Sequence, residues 1–177
     1  MVKLVFILFV IFSLISCGLI GIFPRENLRI KRTDQSASIE KLNLKVDGFY
    51  SYQSGPNEPF FKSFFYLFRN GVCFVSGYSA STGESKKNAE GLYFKQSTLP
   101  QNAPTGWGIY EIKKDSIYIE YWRIKSGDIV YIRAPWKGRI VNGKSIHMER
   151  ERGVGVDTLF YFTPLNNKPD STNRFIK

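Results

Sequence analysis

The residue types that could carry out chemistry are few in this 177-residue chain. It has one histidine, His147, and two cysteines, Cys17 and Cys73. Cys73 and His147 could form a nucleophile with its base, but no sequence pattern supports that pairing. A single histidine cannot build the usual multi-histidine metal site. We therefore expect no catalytic residue, no metal and no cofactor, and a protein that is not an enzyme. Cys73, within the apolar run 72–75, is interpreted as a small buried residue.

Acidic residues and glycines offer little more. Glu111 and Glu120 lie on neighbouring predicted strands and could meet, but cross-strand Lys or Arg partners explain them better than acid–base catalysis. Gly153-Val154-Gly155 lacks the third glycine and the strand-to-helix context of a phosphate-binding loop, and it indicates a turn.

Cys17 has a more informative setting, at the end of an apolar leader. A positive start at Lys3 is followed by the uncharged run 4–16, which is too short to span a bilayer comfortably and is typical of a signal peptide. The run ends in Leu14-Ile15-Ser16-Cys17-Gly18, which resembles the lipobox of bacterial lipoproteins. The resemblance implies that residues 1–16 are removed and that the Cys17 thiol carries membrane lipid. The alternative is an uncleaved anchor helix continuing through 19–23, which would also hold the domain at a membrane.

The net charge of +10 is concentrated near the two ends of the chain. Lys3 in the leader contributes +1, four basic residues and Glu26 give +3 just after Cys17, and the last ten residues carry +2, so the body 33–167 keeps only +4. This distribution argues against a basic nucleic-acid-binding face and predicts no nucleic-acid partner. The basic residues beside the anchor, Arg25, Arg29, Lys31 and Arg32, favour attraction to anionic lipid head groups. The alternative is a solvated linker kept extended by its charge.

Residues 17–40 show no clear apolar period and are predicted to be a lipid-anchored tether. The residues after Cys17, Gly18 to Gly21, lack the acidic signal that often directs lipoproteins to the cell surface. We therefore expect a cell-envelope protein anchored in the outer membrane and facing the periplasm.

The body 41–177 has the pattern of an antiparallel sheet. Short segments of alternating or aromatic-rich residues are separated by turn residues, and Asn70-Gly71 and Asn142-Gly143 are strong hairpin signals. This spacing favours a sandwich or an up-and-down barrel of about eight strands. Pro135 marks a bend or an edge. The predicted strands are Leu42–Val46 with a continuation to Tyr52, Ser63–Arg69, Val72–Val75, Trp107–Ile112, Ser116–Trp122, Ile129–Arg133, Trp136–Val141, Lys144–Met148 and Thr158–Phe162.

Several of these segments resemble small lipocalin-like lipoproteins of Bacteroidota-type bacteria. The resemblance covers about residues 42–175 and is carried by 106–112, 115–119, 137–146 and the tail 168–175. It implies an all-β, antiparallel up-and-down lipocalin-like barrel over 41–177, whose mouth can hold one small ligand.

Aromatic residues on both faces of the predicted strands leave three interpretations open. They could form a thick core, line a ligand cavity, or make an exposed patch for a partner. For a cavity that binds a small apolar or amphipathic molecule, we predict the lining residues Tyr66, Tyr118, Trp122 and Tyr131. The alternative function is an envelope structural or protein-interaction module without a cavity, which would use its outer surface or the segment 79–106. That segment is long for a loop in a compact domain and could form a strand or a lid. A transmembrane barrel is disfavoured by the short strands and the charges within them.

Overall fold

Eight antiparallel strands close into a barrel in which each strand pairs with its neighbours in the chain and β1 pairs with β8. The computed structural model describes residues 24, 27–53, 60–80, 99–125, 130–149, 157–166, 168–169, 171–173 and 175–176. A short helix, α1 (Ser36–Lys41), precedes the barrel. The strands are β1 (Gly48–Gln53), β2 (Phe60–Leu67), β3 (Val72–Ala80), β4 (Trp107–Lys113), β5 (Ser116–Ile124), β6 (Tyr131–Asn142), β7 (Ser145–Glu149) and β8 (Thr158–Pro164). The predicted all-β, up-and-down barrel is confirmed.

Two local predictions are wrong. The alternating segment 42–46 is not a strand: Asn43 has a φ of 49°, which breaks an extended chain, and β1 begins at Gly48. The two strands predicted at Ile129–Arg133 and Trp136–Val141 are one twelve-residue strand, β6, which contains Pro135 opposite Glu120. The pairing of β6 with β7 begins at Lys137, so the missing N–H of Pro135 removes no described ladder bond there.

The barrel interior is filled by the inward side chains of all eight strands. Strand residues alternate between the two faces of a sheet, and the inward set includes Phe65 of β2, Trp136 of β6 and Phe160 of β8. The rings of Phe65 and Phe160 lie 5.1 Å apart between centroids, and Trp136 lies 6.3 Å and 5.9 Å from them. This aromatic cluster forms the middle of the barrel core.

The N-terminal segment closes one end of the barrel. Ile39 of α1, Leu44 and Val46 are buried against the inward side chains. The Tyr50 hydroxyl donates hydrogen bonds to the carbonyls of Lys45 (2.8 Å) and Gly143 (3.2 Å), which connects this segment to the β6–β7 turn. The alternation of Leu42, Leu44 and Val46 therefore reflects burial against the barrel end rather than a strand. Within the described residues, no helix has the length and apolar character needed to cross a membrane.

A second apolar layer covers the outer face of β1 to β5. Its buried members include Phe64, Tyr66 and Trp107, and residues near both chain ends pack on it, among them Leu28, Ile30, Phe175 and Ile176. Part of the predicted tether thus lies on the barrel wall from residue 28 onward. Cys17 and the signal peptide lie outside the described residues.

Glu120 on β5 holds the N-terminal segment in place. One of its carboxylate oxygens accepts hydrogen bonds from the backbone N–H groups of Arg29 (2.5 Å) and Ile30 (3.0 Å). Its other oxygen forms an ion pair of 2.7 Å with Arg133 on β6. Only 9% of the Glu120 side chain and 15% of the Arg133 side chain are exposed. Cross-strand pairing with a basic residue, as the sequence suggested, therefore explains Glu120.

Lys168 holds the C-terminal segment against the closed end of the barrel. Its ammonium group donates hydrogen bonds of 2.5 Å to the carbonyls of Val46 and Leu67 and lies 4.2 Å from the centroid of the Phe68 ring. Burial lowers the pKa of Lys168 from 10.5 to about 8, although the Asp47 carboxylate opposes this shift.

We expect Lys168 to make the stability of the protein depend on pH. Its pKa is lower in the folded chain, so the unfolded chain binds more protons between about pH 8 and 10.5. The contribution of Lys168 to the free energy of unfolding is therefore fully present above the unfolded pKa of 10.5. It is lost as the pH falls through the folded pKa of about 8. The free-energy difference between wild type and Lys168→Met, from urea unfolding, should rise by about 2 kcal/mol between about pH 8 and about pH 10. A flat or falling difference would contradict this.

Candidate ligand-binding site

A cavity of about 700 Å³ lies at the other end of the barrel, opposite α1. Its volume is within the range of pockets that hold small molecules. The described lining residues come from β2, β3, β5, β6 and the segment before β4: Ser63, Val75, Ser76, Gly77, Thr105, Gly106, Tyr121, Trp122, Arg123, Ile124 and Trp136. The cavity thus lies near the ends of these strands, at the mouth of the barrel.

In the described part of the chain, β3 and β4 are paired over only a short stretch beside the cavity. In the described chain β3 pairs with β4 only over Val72–Phe74, although β3 itself runs to Ala80. Gly106 contacts both β3 and β5, since its N–H donates to the carbonyl of Trp122 and its carbonyl accepts from the N–H of Val75, both at 2.7 Å. Its φ of +83° favours glycine, and an added Cβ would lie 2.6 Å from the Val75 carbonyl oxygen. Gly106 and the bridge between Thr105 and Trp122 therefore connect β3 to β5 beside the cavity.

The floor of the cavity is the aromatic cluster of the core. Trp136 is 7% exposed and lines the cavity, while its ring also packs edge-on against Tyr121 at 5.5 Å and contacts Phe65 and Phe160. Below it the described interior is filled. A ligand would therefore occupy the mouth of the barrel and not its centre.

The lining combines apolar surface with hydrogen-bonding groups. Trp122, Ile124 and Val75 supply apolar surface, and Ser63, Tyr121 and Arg123 supply polar groups. Burial raises the pKa of Tyr121 to about 12, and the nearby Arg123 charge lowers it by a smaller amount. The Tyr121 hydroxyl therefore remains protonated at neutral pH and can donate a hydrogen bond.

Two N–H groups in this lining have no acceptor. Arg123 Nε and Trp136 Nε1 are buried nitrogens without a hydrogen-bond partner among the described residues. A buried donor left unpaired costs roughly 1–3 kcal/mol, and such groups are uncommon in folded proteins. Both side chains line the same cavity, which makes a bound acceptor the natural partner for them.

One of the four predicted lining residues lies at the cavity. Trp122 is among the lining residues, although its side chain also belongs to the outer apolar layer. Tyr66 is fully buried in that layer and Tyr131 packs on its edge, and neither lines the cavity. Tyr118 also faces outward on β5, where the Lys113 ammonium lies 5.8 Å from its ring centroid. The structure therefore does not bring the four residues together.

The sequence-based choice missed the inward residues Ser63, Tyr121, Arg123 and Trp136. The strand β5 carries aromatic residues on both faces, so its composition did not distinguish inside from outside. The available signal was the two-residue period: Ile117, Ile119 and Tyr121 share one face, and Arg123 continues it.

Cys73 and His147 do not form a nucleophile pair. Cys73 is fully buried in the barrel interior, whereas the partly exposed side chain of His147 points outward and lies 3.0 Å from Asp157. The prediction of Cys73 as a buried residue is confirmed.

We expect the Cys73 thiol to be unreactive in the folded protein. Burial raises its pKa well above the ordinary value, so the reactive thiolate is not populated at neutral pH. In a Cys17→Ser variant, where Cys73 is the only thiol, Ellman's reagent should react only when urea unfolds the chain. Rapid labelling of the folded protein would contradict the placement of Cys73.

Comparisons of the chain with protein-family models, with curated proteins and with solved structures find no match.

Proposed function

We propose that this chain is a lipoprotein, held to a membrane through acylated Cys17, whose barrel binds a small apolar or amphipathic molecule at its mouth. The observation that carries the binding proposal is the cavity of about 700 Å³ between Trp122 and Trp136. It has the features of small-molecule sites: concave shape, aromatic walls and a few polar groups. The sealed opposite end gives the barrel one side from which a ligand can enter.

The position of the barrel relative to Cys17 supports binding close to a membrane. Ten residue steps separate Cys17 from Asn27, which allows a reach of at most about 35 Å. Arg29, Lys31 and Arg32 are exposed on the segment that follows. Each basic residue near an anionic bilayer contributes roughly 1 kcal/mol of attraction. The segment therefore suits a barrel held beside lipid head groups, and we place it on the periplasmic face of the outer membrane.

Lipid extraction tests the binding proposal. The full chain is purified from membranes in mild detergent, and its organic extract and native mass spectrum are compared with those of Trp122→Ala and of Tyr161→Ala. Tyr161 is 58% exposed on the outside of β8 and serves as the control. We expect one small apolar or amphipathic molecule per chain in the wild type and in Tyr161→Ala, and loss of that molecule in Trp122→Ala.

Absence of any bound molecule from the wild type would count against the binding proposal. A single protein partner captured by crosslinking in cells would then support the interaction module instead.

Mass spectrometry of the mature N-terminus tests the anchor. We expect a chain that begins at Cys17 with acyl groups attached, and a Cys17→Ser variant that lacks them. A mature chain that still begins at Met1 would contradict the lipoprotein assignment. Protease accessibility in intact and permeabilised cells tests the periplasmic orientation, since only permeabilised cells should allow digestion.

A further inference from the structure

The described lining of the cavity carries one charged side chain without an opposite charge beside it. Arg123 is the only charged side chain among the described residues that line the cavity, and no carboxylate lies beside it there. The other arginine inside a strand of this region, Arg133, is paired with Glu120 on the outer face. A cationic group in a cavity with aromatic, low-dielectric walls attracts anions more strongly than the same group in water.

The two unpaired donors lie on adjacent strands of the cavity wall. Arg123 and Trp136 are inward residues of β5 and β6, and Trp136 is opposite Ile119. Tyr121 lies between them, two residues before Arg123 on the same face, and packs against the Trp136 ring. Arg123 Nε and Trp136 Nε1 lack acceptors among the described residues, and the Tyr121 hydroxyl is a third donor in the lining. The cavity lining thus combines hydrogen-bond donors of Trp136 and Tyr121 with the positive charge of Arg123.

From this arrangement we propose that the ligand has an acidic head group, a carboxylate, which Arg123 and Trp136 bind while its apolar part lies against the inward residues Val75 and Tyr121. This inference rests on the proposed binding function and specifies its ligand class. Arginine is suited to the role because its planar guanidinium matches a carboxylate with two parallel hydrogen bonds.

Two probes of equal hydrocarbon length separate the contribution of the acidic head group to binding from that of the hydrocarbon part. The full chain in lipid nanodiscs is titrated with decanoate and with decan-1-ol, which have the same chain length, and tryptophan fluorescence is recorded. Empty nanodiscs titrated in parallel correct for partitioning. Two of the three tryptophans, Trp122 and Trp136, lie at the cavity and report binding.

Three variants accompany the wild type. Arg123→Gln removes the charge, and Trp136→Phe removes the indole N–H while keeping an aromatic ring. Arg139→Gln is the control, because Arg139 is an equally charged but exposed residue whose partner is Asp115 at 3.7 Å. Thermal melting of each variant confirms that it is folded at the temperature of the titration.

We expect the wild type to bind decanoate at least tenfold more tightly than decan-1-ol. Arg123→Gln should weaken decanoate binding by about tenfold to a hundredfold, the range for loss of a charged hydrogen bond, and should leave decan-1-ol binding unchanged. Trp136→Phe should have a smaller effect in the same direction, and Arg139→Gln should have none. Equal affinity of the two probes, or unchanged decanoate binding in Arg123→Gln, would overturn the acidic head group but keep the apolar site. Failure of both probes to bind would overturn the proposed function itself.

Discussion

Replacing Phe160 by alanine is expected to lower the free energy of unfolding by about 3–5 kcal/mol, the range for loss of a buried phenylalanine. Phe160 is fully buried in the barrel interior, and its ring contacts those of Phe65 (5.1 Å), Trp136 (5.9 Å) and Tyr52 (6.0 Å). Strands from opposite sides of the barrel meet at this ring, so the surrounding structure cannot collapse easily into the space it leaves. The midpoint of thermal unfolding should fall by about 10 °C.

The adjacent residue provides the control for this substitution. Tyr161 follows Phe160 on β8, points outward and is 58% exposed. Because strand neighbours face opposite sides of the sheet, Tyr161→Ala should change stability by no more than about 0.5 kcal/mol. Equal effects of the two alanine substitutions in calorimetry would contradict the assignment of the inner and outer faces of β8.

Glu120→Ala is expected to have an effect of similar size for an electrostatic reason. Removing the carboxylate leaves the largely buried Arg133 without its partner and leaves the N–H groups of Arg29 and Ile30 without an acceptor. Removal of one member of a buried ion pair typically costs about 3–5 kcal/mol. Urea unfolding should show this loss, and trypsin should cleave at Arg29, Lys31 or Arg32 faster than in the wild type, because the N-terminal segment is released from the wall.

Glu111→Ala is the matched control for Glu120→Ala. Glu111 also forms an ion pair of 2.7 Å, with Lys113, but the Lys113 side chain is 67% exposed. Water screens such a pair, and its contribution is about 0–1 kcal/mol. If Glu111→Ala destabilised the protein as much as Glu120→Ala, burial would not be the reason for the importance of Glu120.

The strand order could be predicted because turn chemistry and alternation are local properties of the chain. Asn70-Gly71 and Asn142-Gly143 both lie at hairpins, between β2 and β3 and between β6 and β7. Asn-Gly favours a type I′ turn, in which both central residues have positive φ. At these two sites only Gly71 has positive φ, 78°, so the hairpins are closed by other turns. Local sequence indicated where the chain turns, but the loop geometry depended on contacts with the rest of the fold.

The inner and outer faces of the barrel could not be predicted because both are apolar. Tyr66 and Phe65 are neighbours on β2, and both are fully buried, one under the chain ends and the other in the barrel. The covering segments are distant in sequence, and nothing local indicates that they fold back. The choice of Tyr66, Tyr118 and Tyr131 as lining residues followed from this ambiguity. The segment 79–106, considered as a lid, lies outside the described residues over 81–98.

The short pairing of β3 with β4 gives the barrel a seam. Among the described residues, every other pair of neighbouring strands is joined over a longer register, up to the nine residues of β5, whereas β3 and β4 are joined over Val72–Phe74. A closed sheet resists opening because it has no free edge strand. Where one pair of strands is joined by few hydrogen bonds, those two strands can separate locally while the other strand pairs stay intact. The seam runs into the cavity beside Gly106, so local opening of the wall along it would widen the cavity without unfolding the other strand pairs.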